Sequence, residues 1–495
     1  MESNIKLDDN VQAYIVLGYG EGLIKSFTRW LNKKKHYLVV LDTKQSLKNQ
    51  KIENLPNVSV ETIDSEVDVT IKLKELAWRF IFLNIELVIS DSFQEEKLSA
   101  LVSKEWQKIK TGVHLSASAF ADFQLPDLAS AMKNIHEEIE CSYLADLKGC
   151  LNKVPAIICG AGPSLDQSFF EFKEKALVFS GGSALNALKL SPHFIGLTDS
   201  RTPPGFFKKS FEESRLFFSL KAPHEIVNKN FKQKFLCFAE ERYLFFRLIV
   251  EKLGAKFDPI DMGWSTVTFL TAIAVYLGCD PIIFNGVDLC FKAKQIYAED
   301  VAKISYRKKN SQEFISVKDE KGNSKKTQND WLMSAFFLQK LTEANPSINF
   351  YNLSEEGLFL GDRVKPLKIE KLSSWDNINI EDKLKCFESK PTLALSKDLN
   401  AQILDMISTE EKTVEKSLKE LEEMFNGKIK ELSPKEISWC EKNVLNVLWD
   451  IFKQVILRDE KRDENFSFKE KVHQVLFYKD VLAQHKSQLK RYSDV

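Results

Sequence analysis

The sequence has no apolar stretch long enough to cross a membrane. None of its apolar runs approaches the roughly 18 residues that a membrane-spanning helix needs. Its first residues, MESNIKLDDN, contain no apolar core of the kind found in a secretory signal. We therefore expect a cytoplasmic protein without a membrane span.

An excess of one charge is also missing. The 495 residues contain 70 Lys and Arg against 70 Asp and Glu, so the formal net charge is zero. This balance argues against a chain that binds nucleic acid or a membrane surface over its whole length. We therefore expect no nucleic-acid partner, although local basic patches are compatible with the balance.

The eight cysteines form no CxxC pair and no disulfide-like spacing. Several lie in apolar runs, which is typical of reduced thiols in the core of a cytosolic protein. Histidine is sparse, with seven residues in all and none between His224 and His473. The length and the apolar content of 44% predict a soluble globular protein of two or three domains.

A glycine-rich turn after a short apolar run is the most informative motif. The stretch VPAIICGAGPSLD predicts a strand over 156–159, followed by a helix from Leu165. Gly160 and Gly162 permit a sharp turn, and Pro163 suits a first helical turn. Free N–H groups and the helix dipole would then converge on one anion, usually a phosphate. The N–H groups belong to Ala161, Gly162, Ser164 and Leu165. The alternative is an ordinary strand–turn–helix junction.

The N-terminal third imitates a dinucleotide-binding unit. A predicted strand over 12–18 leads into GYGEG, and the next strand ends about 20 residues later in Asp42. Because Leu23 replaces the third glycine of GxGxxG, we favour a Rossmann-like βαβ unit without a cofactor over a nucleotide site. The other predicted elements are a helix over 70–82, strands over 86–90 and 113–115, and a long helix over 127–150.

From residue 154 onward, short apolar runs alternate with helical stretches, as in parallel α/β sheets. The predicted strands cover 156–159, 176–180, 194–198, 215–219, 234–238 and 281–285. Ligands of open α/β sheets bind beyond the carboxyl ends of the strands. The candidate residues beyond four of these ends are the 160–164 loop, Ser183, Asp199, and Gly286 with Asp288. A helix predicted over 265–277 begins with Ser265 and Thr266, which would cap it or bind a second anionic group.

The remaining regions are polar or helical. The lysine-rich segment 292–330 would either attract an anionic ligand or form a solvated loop over the site. Residues 393–490 are helical in pattern, and an apolar stripe over 437–456 predicts a small helical bundle. We therefore expect an N-terminal Rossmann-like α/β domain over 1–126, a central parallel-sheet domain over 127–368 and a C-terminal helical domain over 369–495.

Three stretches of the central region carry a family resemblance. They are GAGPSL at 160–165, GWSTVTFLTAIAVYLGCDPIIFNGVDL at 263–289 and NLSEEGLFLG at 352–361. They resemble the Maf (motility-associated factor) glycosyltransferases over roughly residues 150–365. The region is also similar to the archaeal 6-hydroxymethyl-dihydropterin pyrophosphokinases, and more distantly to bacterial CMP-sialic-acid sialyltransferases. The resemblance implies a Rossmann-like, sialyltransferase-like sheet within the three-part layout of the Maf proteins.

The resemblance also implies which residues bind and react. It assigns the nucleotide phosphate to the glycine loop, and the sugar or cytidine to Ser183 and Asp199. The loop residues are Gly160, Ala161, Gly162, Pro163 and Ser164, and the pocket is completed by Ser265, Thr266, Gly286 and Asp288. Tyr297 matches a tyrosine that contacts the phosphate of the departing CMP in the sialyltransferases. There are two departures, because Cys290 replaces a second such tyrosine and no histidine stands where those enzymes have their base.

The function that this resemblance implies is transfer of a nonulosonic (sialic-like) acid from a CMP-sugar to Ser or Thr of an acceptor protein, such as a bacterial flagellin. A fixed array of dipoles stabilises a departing phosphate without a metal, so the CMP-sugar donor is the one small molecule expected. The expected catalytic residues are Asp199, Asp288 and Tyr297, with Asp199 as the candidate base.

Two alternatives stay open. The first is an ATP- and Mg²⁺-dependent pyrophosphokinase acting on a pterin, with Asp199 and Asp288 as oxygen ligands of the metal. The second is a non-catalytic nucleotide-binding scaffold, which the missing histidine and Cys290 favour.

Overall fold

The structure, a computed structural model, divides into two compact units, residues 1–121 with 412–481 and residues 122–411 with 482–495. The residues that it describes are 7–20, 22–33, 35–48, 55, 57–238, 249, 258–291, 314–318, 323–354, 356–388, 390, 393–394, 398–431, 433–435, 445–460 and 465–490.

The first unit is built on a four-stranded parallel sheet in the order β3-β2-β1-β4. Its strands are β1 (Ala13–Leu17), β2 (Tyr37–Asp42), β3 (Val58–Thr62) and β4 (Ile85–Ile89). The helices between them are α1 (Leu23–Leu31), α2 (Lys44–Leu47) and α3 (Glu66–Arg79). β1 and β2 are buried along their whole length, as expected for parallel strands with helices on both faces. The predicted Rossmann-like α/β arrangement is confirmed here.

The second unit contains a ten-stranded sheet in the order β15-β14-β11-β6-β7-β8-β9-β10-β5-β16, parallel except for β16. Its first strands are β5 (Glu140–Tyr143), β6 (Ala156–Cys159), β7 (Leu177–Gly181), β8 (Phe194–Leu197), β9 (Phe211–Ser219) and β10 (Phe231–Cys237). The later ones are β11 (Ile282–Asn285), β14 (Phe350–Asn352), β15 (Val364–Pro366) and β16 (Leu393–Ala394). A separate hairpin pairs β12 (Ile315–Lys318) with β13 (Ser324–Thr327).

The remaining α-helices are α4 (Glu96–His136), α5 (His224–Val227), α6 (Thr266–Leu277), α7 (Asn329–Ala344), α8 (Ile380–Glu388), α9 (Asp398–Phe425), α10 (Asn446–Ile456) and α11 (Phe466–Lys490). Short 3₁₀ helices cover Leu144–Leu147, Gln167–Phe172, Gly182–Asn186, Pro204–Phe206 and Ile369–Ser374. Among the described residues, no helix combines the length and the apolar character that crossing a membrane requires.

Two predicted elements before the central sheet were wrong. The strand expected over 113–115 lies inside α4, where Val113 and Ala117 are buried in one apolar cluster at helical spacing. The long helix expected over 127–150 ends at His136, because Glu138 adopts a left-handed φ of 51° and the chain then forms β5.

The apolar stripe predicted for the C-terminal region is described from residue 445 onward, and residues 436–444 lie outside the described part. In α10, Leu448 is buried, and the ring of Phe452 packs against Trp78 of α3 with centroids 5.8 Å apart. The stripe therefore contributes to the core of the first unit.

Alternate residues of β6 face the two sides of the large sheet. Ala156 and Ile158 belong to the larger apolar core, which includes α6, whereas Ile157 and Cys159 belong to the core on the other face. A strand that is covered on both faces reads as a continuous apolar run. This is why β6 and its neighbours were predictable from the sequence.

A buried cation joins α8 to the sheet. Arg215 of β9 is only 2% exposed, its Nε donates to Gln233 Oε1 at 2.9 Å, and its guanidinium lies 5.4 Å from the centre of the Phe387 ring. Gln233 in turn donates to the carbonyl oxygen of Phe387 at 2.8 Å. These contacts satisfy the polar atoms of a side chain that is costly to bury alone.

We predict that His193 makes the folded state less stable in acid. Its Nδ1 accepts the N–H of Val178 at 2.9 Å, and burial, with smaller effects of Arg215 and Lys173, lowers the pKa of His193 to about 4. The unfolded state takes up this proton near pH 6.5, so stability is lost as the pH falls from about 6.5 to 4, by up to about 3 kcal/mol. Urea unfolding of the wild type and of His193→Gln at pH 7 and pH 4.5 measures the loss. An equal loss in both proteins would contradict the prediction, because His36 and His224, whose pKa values burial also lowers, are present in both.

Candidate functional site

The candidate site lies beyond the carboxyl ends of the large sheet, at its switch point. From β6 the chain continues outward through β7, β8, β9 and β10, whereas β11 returns to the other side of β6. Ligands of open α/β sheets bind where the strand order reverses in this way. The loops after β6 and β11 are therefore neighbours at the expected position.

The glycine loop after β6 is bonded directly to the loop after β11. The N–H of Gly160 donates to Asn285 O at 2.8 Å, and that of Gly162 donates to Gly286 O at 2.9 Å. A Cβ added to Gly160 would lie 2.4 Å from Gly286 O, and one added to Gly162 would lie 2.4 Å from Asp288 Oδ2. The two glycines are therefore required by this close approach of two backbones.

Asp288 fastens the glycine loop. Its Oδ2 accepts the Ser164 N–H at 2.8 Å, and its Oδ1 accepts the hydroxyl of Ser164 at 2.6 Å and that of Ser354 at 3.3 Å. The residue is only 1% exposed. Both carboxylate oxygens are therefore hydrogen-bonded within the chain, which positions the loop, and the expected role of Asp288 as a catalytic group or metal ligand stays a prediction.

The glycine loop differs from the predicted anion cradle, because three of the four predicted N–H groups are bonded within the chain, while nucleotide binding by the loop stays a prediction. The N–H groups of Gly162 and Ser164 are used as described above, and that of Leu165 donates to Gly162 O at 3.0 Å. No α-helix begins at Leu165. A six-residue 3₁₀ helix begins at Gln167 instead, capped by Asp166, whose Oδ1 accepts the Ser168 N–H at 2.8 Å. A short 3₁₀ helix carries less of the dipole that favours an anion.

The N-terminus of α6 faces the loop after β7. Ser265 caps α6 in a capping box with Thr268, which confirms the predicted N-cap. A Cβ added to Gly181 would lie 2.5 Å from Thr266 Cγ2 and 2.5 Å from Gly196 O of β8. Ser183, in the 3₁₀ helix that follows Gly181, is partly exposed. The structure thus brings Ser183, Ser265 and Thr266 into one neighbourhood.

Asp199 follows β8 and forms a two-pronged ion pair. Its Oδ1 accepts the N–H and the Nε–H of Arg201, both at 2.9 Å, and its Oδ2 accepts from the same guanidinium at 2.8 Å. The Asp199 side chain is 45% exposed and that of Arg201 is 55% exposed. Unlike Asp288, Asp199 is accessible to a ligand.

Two partly buried carboxyl groups lie near this ion pair. Ser200 donates its hydroxyl to Asp127, and burial raises the pKa of Asp127 although Lys221, 3.6 Å away, lowers it. Burial also raises the pKa of Asp330, with Arg201 among the groups that oppose the effect. No sequence motif indicated Asp127 or Asp330, because they approach this ion pair only when α4 and α7 are folded.

The remaining candidates fall into two groups. Tyr297 and the basic residues 307–309 lie outside the described residues. Cys290 is buried, with its Sγ 3.9 Å from Glu356 O. Within the described part of the chain, no group of three or more His, Cys, Asp or Glu side chains is arranged to hold a metal.

The N-terminal GYGEG loop uses its acidic partner internally. Asp42 is 3% exposed, and its Oδ2 accepts the Tyr19 N–H at 2.7 Å and the Ser46 hydroxyl at 2.8 Å. Its Oδ1 accepts the Thr43 N–H at 2.7 Å. Both oxygens of the Asp42 carboxylate are hydrogen-bonded within the unit, so they are not available to a ribose hydroxyl. This agrees with the interpretation of a βαβ unit without a cofactor.

We predict that Ser164 and Asp288 are energetically coupled. Ser164→Ala removes one donor from a buried carboxylate, and the expected loss is about 1.5–3 kcal/mol of unfolding free energy. In an Asp288→Asn background the same substitution should cost less than half as much. Urea unfolding of the four proteins measures the coupling, with Ser373→Ala on the surface as a control that changes stability by less than about 0.5 kcal/mol. Additive losses would contradict the assignment of Asp288 as the fastening group.

Comparison with known proteins agrees with this geometry. Residues 129–294 match a family model described as 6-hydroxymethylpterin diphosphokinase MptE-like. The structure is similar to that of a Maf glycosyltransferase from Magnetospirillum magneticum AMB-1, with a TM-score of 0.54 and 14% sequence identity over 97% of this chain and 77% of that chain. No curated protein matches the sequence. The fold is therefore similar to that of a Maf glycosyltransferase, with an MptE-like central region, as the resemblance in the sequence predicts.

Proposed function

We propose that the chain is a Maf-like glycosyltransferase that moves a nonulosonic acid from a CMP-sugar to a Ser or Thr hydroxyl of an acceptor protein. The observation that supports this most is the meeting of strand-exit loops and a helix N-terminus at the switch point of a fold similar to a Maf glycosyltransferase. A cytoplasmic bacterial flagellin is the acceptor that the family resemblance suggests.

In this proposal the donor phosphate binds at the N-terminus of α6. The N–H groups of Thr266 and Val267 belong to the first helical turn, where no intrahelical acceptor exists, and the 12-residue helix adds its dipole. Gly182 leaves space beside them, since an added Cβ would still lie 3.6 Å from Thr266 Oγ1. Ser183 supplies a further hydroxyl. These dipoles stabilise the charge that grows on the phosphate as CMP departs.

Asp199 is the proposed base. Its partial exposure beyond β8 supports this role, whereas Asp288 is buried. The acceptor hydroxyl oxygen bonds to the anomeric carbon of the sugar, and Asp199 takes the hydroxyl proton. The bond from that carbon to the phosphate oxygen breaks, and CMP leaves with the electron pair. Tyr297, outside the described residues, stays a predicted contact of the departing phosphate.

The match of residues 129–294 to an MptE-like model favours a second candidate, an ATP- and Mg²⁺-dependent pyrophosphokinase acting on a pterin. The hydrogen bonds of the two carboxylates count against it. Asp288, only 1% exposed, already accepts three hydrogen bonds, and Asp199 is paired with Arg201, whose positive charge disfavours a second cation beside it. Calorimetric titration with CMP and with ATP–Mg²⁺ separates the candidates, and binding of ATP–Mg²⁺ alone would favour the pyrophosphokinase.

We predict that Thr266→Asp weakens CMP binding at least ten-fold. Thr266→Asn, whose side chain has nearly the same shape as that of Asp but no charge, should change CMP binding less than three-fold. A carboxylate in the first turn repels the phosphate but interacts favourably with the helix dipole, so the helix itself is not weakened. Isothermal titration gives the affinities, and thermal unfolding verifies that α6 is intact. Equal CMP affinities in the two variants would exclude α6 as the phosphate site.

We also predict that Asp199→Asn binds CMP as well as the wild type but loses transfer by about 100-fold or more, which is the lower range for removal of a general base. The measurement is the glycan mass on acceptor proteins in cells that lack the chain and are supplied with either form. Transfer at the wild-type rate would mean that Asp199 is not the base. The chain would be identified as a scaffold if it binds CMP but its removal from cells leaves the glycan profile unchanged.

A further inference from the structure

We propose that Arg201 binds the carboxylate of the donor sugar, and that it does so by leaving Asp199. The inference rests on the proposed glycosyltransferase function, whose nonulosonic-acid donor carries its carboxylate and its phosphate oxygen on the same anomeric carbon. Binding of such a donor would then convert Asp199 from an ion-pair partner into the free carboxylate that the reaction needs.

The ion pair between Arg201 and Asp199 has the same geometry as the proposed complex between Arg201 and the donor carboxylate. Arg201 presents Nε–H and a terminal N–H to the two oxygens of Asp199 at 2.9 and 2.8 Å, which is the two-pronged arrangement that guanidinium groups also form with a ligand carboxylate. Both side chains are about half exposed. An exposed ion pair contributes little to stability, so exchanging one carboxylate for another costs little.

The surroundings of Arg201 belong to the same neighbourhood as the proposed phosphate site. Gly181 is in register with Gly196 of β8, and an added Cβ on Gly181 would touch Thr266, at the N-terminus of α6. Arg201 lies beyond the end of β8, and adjacent strands are roughly 4.8 Å apart. The N-terminus of α6 faces the exit of β7, and Arg201 follows the exit of the neighbouring strand β8, so the phosphate and the carboxylate on one carbon have anion-binding groups at adjacent positions.

α7 connects Arg201 to the other side of the site. Arg201 acts electrostatically on Asp330, in the first turn of α7. The next residue, Trp331, packs its ring against Phe291 at 5.0 Å, three positions after Asp288. Arg201 therefore acts on Asp330, and the segment after Asp288 contacts Trp331. These are adjacent residues in the first turn of α7.

The charges around Arg201 favour its exchange of the Asp199 carboxylate for the donor carboxylate, and the reaction completes this exchange. Besides Asp199, two acidic groups in the described part of the chain interact electrostatically with Arg201: Asp127, which lies 3.6 Å from Lys221, and Asp330. When the donor carboxylate takes the guanidinium, Asp199 loses its ion-pair partner, and both its oxygens become available to the acceptor hydroxyl. After it accepts the hydroxyl proton it is neutral and no longer competes for Arg201. Departure of the product then restores the resting pair once that proton is lost to water.

The test compares two ligands that differ in the sugar. Isothermal titration is done with CMP and with CMP-3-fluoro-N-acetylneuraminate, an unreactive donor that carries the carboxylate. We expect Arg201→Ala to weaken the fluorinated donor at least ten-fold and CMP less than two-fold. Arg201→Lys should fall between, because an ammonium group does not provide the two-pronged contact. Asp199→Asn should bind the donor several-fold more tightly than the wild type does, since the competing carboxylate is gone.

A matched control is the exposed ion pair Lys385–Asp382, whose Nζ and Oδ1 are 2.9 Å apart on α8. Asp382→Asn should leave both affinities unchanged. Equal weakening of CMP and donor by Arg201→Ala, or no weakening of either, overturns the role of Arg201 while the proposed function stands. Weaker donor binding by Asp199→Asn overturns the exchange. Wild-type protein that binds neither ligand overturns the proposed function and the assignment of Arg201 with it.

Discussion

The bonds between Ser164 and Asp288 are the constraint on which the geometry of the site depends. A buried carboxylate is costly unless donors satisfy it, and Ser164 supplies both its N–H and its hydroxyl. These two residues lie on the loops that follow β6 and β11, the strands on either side of the switch point. One side-chain pair therefore fixes the position of both loops.

The close approach of these two loops requires glycine at several positions. Gly160 and Gly162 approach the 286–288 backbone so closely that a Cβ would overlap it, and Gly357 comes within 2.8 Å of Asp288 O by the same measure. The signature GAGPS of the sequence is thus explained by the meeting of two backbones. In the proposed mechanism the loop shapes the floor of the site, and the phosphate binds to the neighbouring helix α6, where open N–H groups are available.

The two aspartates that the sequence singled out have different surroundings. Asp288 is buried and accepts three hydrogen bonds, whereas Asp199 is half exposed and is bonded to Arg201. A group that must gain and lose a proton needs access to its substrate, and only Asp199 has it. In the proposal, Asp288 fastens the loop and Asp199 reacts. These different roles follow from the different burial of the two side chains, since the residue type is the same.

The sequence by itself determined the strands of the central sheet and the N-cap of α6. Buried parallel strands are continuous apolar runs, and a capping residue acts on neighbours within one helical turn, so both signals are local. It did not determine β5 (ECSY), β14 (FYN) or β15 (VKP), because short strands near the sheet edges carry too few apolar residues to stand out. It also did not determine which amide groups were free, or that Asp127 and Asp330 lie near Asp199 and Arg201. Those facts depend on interactions between residues up to 129 positions apart, as between Arg201 and Asp330, and only the tertiary structure brings such residues together.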